Sequence, residues 1–217
     1  MKQLNLFAAF ILIVLFSAMN TTFSQVTDKE GNVYKTVTIG NQVWMAENLN
    51  VTQYRNGDPI PEVQDKEEWD NLTTGAWCWY ENNSANGTTY GRLYNWFAVN
   101  DPRGLAPEGW HIPSSDEWNK LTNNLGGAEN AGTKLKTTSG WDNGGNGDNK
   151  SGFSAIPGGY RTHDGYFSNM GRNALFWTST EFNTTNAWFR NVIGSITDVY
   201  APNYGKDFGL SVRCVKD

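Results

Sequence analysis

The sequence predicts one domain that mixes helices with short strands, α+β in class, and three stretches carry the prediction. Residues 30–49, EGNVYKTVTIGNQVWMAENL, alternate in two runs about Gly40-Asn41, which is the pattern of a β-hairpin. Residues 114–125 have the start signal, spacing and stop signal of a helix. From Gly126 onward the chain is rich in glycine and broken into short apolar runs, as in a β-rich half.

The opening MKQLNLFAAFILIVLFSAMNTTFSQ has Lys2, an apolar run from Leu6 to Ala18, and small residues at Thr22 and Ser24. That is the pattern of a secretory signal peptide over residues 1–24, cleaved before Gln25. The apolar run is too short for a membrane anchor, and no cysteine nearby would take a lipid. Residues 25–217 remain as one domain. In its hairpin, Val33, Lys35, Val37 and Ile39 share one face, and Val43 to Met45 form the return strand. Residues 55–75 hold Gly57, Pro59 and Pro61 and read as a surface loop with a short helix near Glu67 to Leu72. AWCWY (76–80) reads as an apolar strand. YGRLYNWFAVND (90–101) places Leu93, Tyr94, Phe97 and Ala98 on one helical face.

GWHIPSSDEW (109–118) contains His111, one of two histidines, and invites a catalytic reading. Helix signals account for it instead. Ser114 is an N-cap and Glu117 completes a capping box. Asp116 and Glu117 suit the helix dipole. Trp118, Leu121 and Leu125 follow at helical spacing, and Gly126-Gly127 ends the helix. His111 is therefore read as structural. Beyond it, FSAIPGGYR, ALFWTSTE, NAWFRNV and GLSVRCV read as strands.

Composition limits function. A net charge of −5 with no Lys/Arg cluster argues against nucleic acid and anionic membrane as partners. Ten Trp, nine Tyr, eleven Phe and 23 Gly describe a core of large rings joined by glycine turns. Indole faces also stack on pyranoses, so Trp141 and Trp188 are candidates for a sugar site.

Seven segments then occur in order: YKTVTIGNQVWMAENL, GAWCWY, YGRLYNWFAV, APEGWHIPSSDEW, GFSAIPGGYR, FWTSTE and GLSVRCVKD. The series resembles the Fibrobacter succinogenes major paralogous domain family over residues 27–217. More loosely it is similar to formylglycine-generating enzymes. GWHIPSSDEW occupies the place of their R-L-P-T-E-x-E-W segment, and GLSVRC that of their closing G-F-R-C. The resemblance implies an α+β, C-type-lectin-like domain, with two helices against a twisted, mostly antiparallel sheet and long irregular loops. It also implies that members are exported and surface-associated.

Those enzymes hold copper on closely placed cysteines. Cys78 and Cys214 are the only two here and lie far apart, so the resemblance implies that the oxidase chemistry is absent. A cysteine nucleophile with His111 or His163 as base is one reading. A Cys78–Cys214 disulfide suits an exported chain better, and a lectin-like fold would return the terminal strand toward the early elements. Two histidines so far apart make zinc improbable. Calcium is the metal candidate. Asp142, Asn143, Asn146, Asp148 and Asn149 put hard oxygens on a flexible loop, although a solvated turn explains them too. PGGYRTHDGYF (157–167) groups Tyr160, Arg161, His163 and Asp164, which suits a binding surface or an ordinary hairpin. The expected function is non-enzymatic binding of glycan or surface protein outside the cell. A structural or adhesive component and a polysaccharide hydrolase are the alternatives.

Overall fold

The computed structural model describes residues 24–217. The expected signal peptide, apart from Ser24, lies outside the described residues. Strand β1 (Gln25–Thr27) pairs with β2 (Val33–Ile39), which turns through Gly40 into β3 (Gln42–Met45). Gly40 has φ +61°, and Ile39 pairs with Gln42, so the hairpin has the predicted two-residue turn. A short helix α1 (Lys66–Asp70) is capped by Asp65, whose side chain accepts from the Glu68 amide.

The structure differs from the sequence reading over 90–101. Helix α2 (Gly87–Tyr90) stops at Gly91, and β5 (Leu93–Tyr94) pairs with β4 (Trp77–Cys78). Only then does α3 (Trp96–Val99) begin. Gly91 at φ +71° breaks the helix. Tyr94 and Leu210 exchange backbone hydrogen bonds of 2.9 and 3.0 Å. Asn95 caps α3 through its side-chain oxygen on the Ala98 amide. Tertiary pairing overrides the local helical spacing.

Next come β6 (Trp110–His111), α4 (Ser115–Asn124) and α5 (Ala128–Leu135). The last two are the substantial helices. The β-rich half supplies β7 (Gly158–Arg161), β8 (Phe167–Met170), β9 (Asn173–Glu181), β10 (Asn186–Ile193), β11 (Val199–Tyr200), β12 (Asn203–Gly205) and β13 (Val215–Lys216). GLSVRCV forms a strand only at its end. Leu210 and Ser211 instead make single bridges to Tyr94 and Phe176.

One sheet has the order β1-β2-β3-β13-β6, a second β11-β10-β9-β7-β8 with β12 also on β10, and β4-β5 form a third of two strands. Named strands pair antiparallel except β7 with β9. The class is α+β with mostly antiparallel sheets. The main core holds Met45, Tyr94, Trp177, Phe189 and Cys214. A second, with Trp44, Trp118, Phe153 and Phe176, packs α4 and α5 onto the sheets. Its rings meet edge to face at 5.1 to 5.8 Å, the geometry that ring quadrupoles favour.

Candidate functional site

The structure disperses the predicted ligand set. Arg161 is fully buried. It donates to the carbonyls of Val63 (2.7 Å), Gln64 (2.9 Å), Asp65 and Gly165, with its guanidinium over Trp69. Trp141 is core, its Nε1 donating to Thr137 Oγ1 at 3.0 Å. Asp164 accepts from the Thr162 hydroxyl within the β7–β8 turn. Arg161 and Trp141 are thus buried parts of the fold, while Asp164 keeps part of its surface exposed. Trp188 stands half-buried with Phe182 packed edge-on against it. Tyr160 and His163 do come together, both against Phe208. Tyr204 packs on the same ring at 4.6 Å, so the ring faces are turned on one another.

The loop 142–149 uses its oxygens on itself. Asn146 accepts from the Trp141 amide, and Asn149 from the Ser154 amide at 2.9 Å. Asp148 holds the Lys150 ammonium at 2.9 Å, while the Asp142 carboxylate lies against Gly171. Asn143 sits exposed at φ +53°. These contacts are the ones a turn-rich loop makes.

The disulfide expectation is also corrected. Cys78 and Cys214 are both free and buried. Cys78 packs with Val63, Trp69 and Leu93, and Cys214 with Met45 and Trp177 in the main core. The terminal segment does return to an early element, but that element is β3. The amide of Met45 donates to the Cys214 carbonyl at 3.0 Å. Burial pushes the Cys78 thiol up to about 12 and the Cys214 thiol higher still, which disfavours the thiolate a nucleophile needs. His111 is occupied as well. Its Nδ1 lies 2.6 Å from Asp217 Oδ1 and its Nε2 2.7 Å from Glu117 Oε1.

A surface groove that the sequence reading did not find touches the predicted set only at Asn149. It follows residues 46–50, with residues 79–91 opposite one half and 149–156 opposite the other. One recess, of about 440 Å³, is lined by Asn32, Tyr34, Asn50, Trp79 and Thr88 among others. The adjoining recess, of about 540 Å³, is lined by Lys35, Asn149, Ser154 and Arg213 among others. Glu47 and Thr89 line both, so the two adjoin. A third recess, near Glu30 and Glu108, is smaller at about 170 Å³.

Local structure explains the walls. Of ten tryptophans, eight are buried; Trp79 and Trp188 keep exposed surface. Trp77 meets Trp79 edge to face at 5.1 Å, and the Arg92 guanidinium lies over the Trp79 ring at 4.2 Å, so it covers one face of the indole. It also packs on Gly87, where a Cβ would come within 2.2 Å of the ring. Arg92 Nη1 donates to Asn50 O and Oδ1, and its Nε is buried without a partner. Arg213, beneath the groove, donates to Asn48 Oδ1 (2.6 Å), Phe153 O (2.7 Å), Ser154 O and Met45 O. Burial pulls its guanidinium down to about 9, still cationic at neutral pH. Lys35 and Glu47 face each other at 3.9 Å on the rim. Asn149, singled out as a metal ligand, is the one predicted site residue in the groove.

The Fibrobacter succinogenes major domain model matches residues 37–216. No curated protein and no solved structure matches significantly. That match covers all but the first strands of the described fold, and by it the chain belongs to the Fibrobacter succinogenes major domain family.

Proposed function

We propose that this chain is an exported, non-enzymatic binding domain that recognises glycan outside the cell or at its surface, through the groove along residues 46–50. The observation that carries the reading is the lining. An indole that stays partly exposed lines a recess edged by amides and hydroxyls, and a second recess adjoins it. Sugars are held in this way, with the pyranose face on a ring and the hydroxyls on directional polar groups. A glycosidase needs two carboxylates about 5 to 9.5 Å apart. Among the described residues, Glu47 is the one carboxylate lining the two recesses, which supports binding over hydrolysis.

The C-type-lectin-like arrangement belongs to the same proposal. Its support is that β13 lies between β3 and β6 and that two main helices pack on the sheets. Export rests on the pattern of residues 1–24, and a purified native protein that still begins at Met1 would remove it.

The test is a glycan array probed with the protein and with Thr89→Trp. Thr89 is exposed and lines both recesses, so the substitution blocks the groove without entering the core. Binding by the parent, weakened at least about tenfold in the variant at unchanged melting temperature, is the expected result. Silence across the array would leave a structural or adhesive role in its place.

A further inference from the structure

We infer that the groove selects an anionic glycan, with Lys35 making the direct ionic contact and the arginines behind the walls supplying a favourable field. This rests on the glycan reading above and narrows its ligand class.

Local charge in the groove runs against that of the chain as a whole. The chain as a whole is acidic, at −5. In the groove and immediately behind it stand Lys35, Arg92 and Arg213, against Glu47 and Asp28. Asp28 keeps its charge while accepting from the Tyr34 hydroxyl at 2.7 Å and the Asn32 amide side chain at 2.8 Å, so three cations stand against two anions. Asp148 and Lys150, near the far end, cancel each other at 2.9 Å. Neither arginine bonds a carboxylate. Arg213 is met by carbonyls and the Asn48 amide, and Arg92 by Asn50 alone.

Guanidinium charges set in low-dielectric walls with no carboxylate bonded to them project their field into the adjoining cleft; the carboxylate that acts on Arg213 across space is the groove's own Glu47. Lys35 is the accessible member, its side chain 59% exposed and only loosely paired with Glu47 at 3.9 Å. A carboxylate or sulfate on the sugar would take the place of Glu47 as its partner. A neutral sugar gains nothing from this arrangement, so the charges act on choice of ligand more than on fold.

The experiment measures affinity of the native protein for oligogalacturonides, oligoglucuronates and alginate oligosaccharides, each against its methyl ester. Sulfated oligosaccharides form a second anionic arm, and cello-, xylo- and manno-oligosaccharides the neutral arm. The expected result is anions binding at least roughly fivefold tighter than esters, with the advantage shrinking as NaCl rises from about 50 to 500 mM. Lys35→Gln should weaken anion binding roughly two- to fivefold, and Glu47→Gln, which keeps its acceptor for the Lys35 amide, should strengthen it. If esters and neutral sugars bind as well as the acids, the charge inference is overturned while the glycan reading stands. If no oligosaccharide of any arm binds, both are overturned.

Discussion

At the scale of single residues, buried arginines decide much of this structure. Arg161, Arg190 and Arg213 are almost wholly buried, and none forms an ion pair among the described residues. Each serves as a hub for neutral acceptors. Arg190 donates to Ser115 O at 2.9 Å and Asn119 Oδ1 at 3.0 Å. The planar guanidinium offers five donors in a fixed fork, so one side chain can hold several loop carbonyls that no strand reaches. This is why the segment around Arg161 misleads at the sequence level. Beside Tyr160 and His163 it looks like part of a binding surface, whereas its partners at Val63 to Asp65 lie in another part of the chain. Arg213→Lys should lower unfolding free energy by about 3 kcal/mol or more, because a point-like ammonium leaves several buried acceptors unpaired. Denaturant titration checks this, and a loss under about 1 kcal/mol would show that the carbonyls find other donors.

At the scale of elements, α4 was legible because its signals are local. Ser114 and Glu117 form the capping box. At the other end the Gly127 amide reaches Thr122 O at 3.0 Å and the Gly126 amide reaches Asn123 O at 3.1 Å, a Schellman motif. The segment 90–101 was illegible for the opposite reason: its pairing partner is Leu210, and no local periodicity reports that. His111 adds a titratable tie between α4 and β13. Burial alone would lower its pKa, but hydrogen bonds to Asp217 and Glu117 outweigh burial and raise it. For Glu117, burial is opposed by Ser114 and His111, and the carboxyl ends below its ordinary value. A raised imidazole stabilises fully below its unfolded value, near 6.5, and loses that contribution as pH rises through the folded value. The lowered carboxyl stabilises above its unfolded value and loses that as pH falls through the folded one. The melting temperature should therefore decline from about pH 6.5 upward, and His111→Gln should flatten that decline. An identical slope in parent and variant would remove the tie from the account.

At the scale of the whole molecule, the groove was invisible in the sequence because its walls come from three separated stretches, near residues 32–50, 79–91 and 149–156, together with Arg213. Each reads as ordinary turn-rich chain by itself. The aromatic content was legible, but the sequence could not say which indole remains outside. The same distance problem governs the first sheet, where Val215 pairs with both Trp44 and His111. Deleting residues 210–217 should leave a chain without cooperative unfolding, seen by circular dichroism and rapid proteolysis; native-like protection in that variant would contradict it. The placement of β13 also imposes an order in time. Residues 42–45 and 110–111 emerge from synthesis long before the strand that must slot between them. Until Val215 arrives, both present open hydrogen-bonding edges, and pairing between such remote segments is slow. A chain built this way stays threadable until its closing strand is delivered, and during that interval it depends on whatever keeps unfinished edges from finding each other.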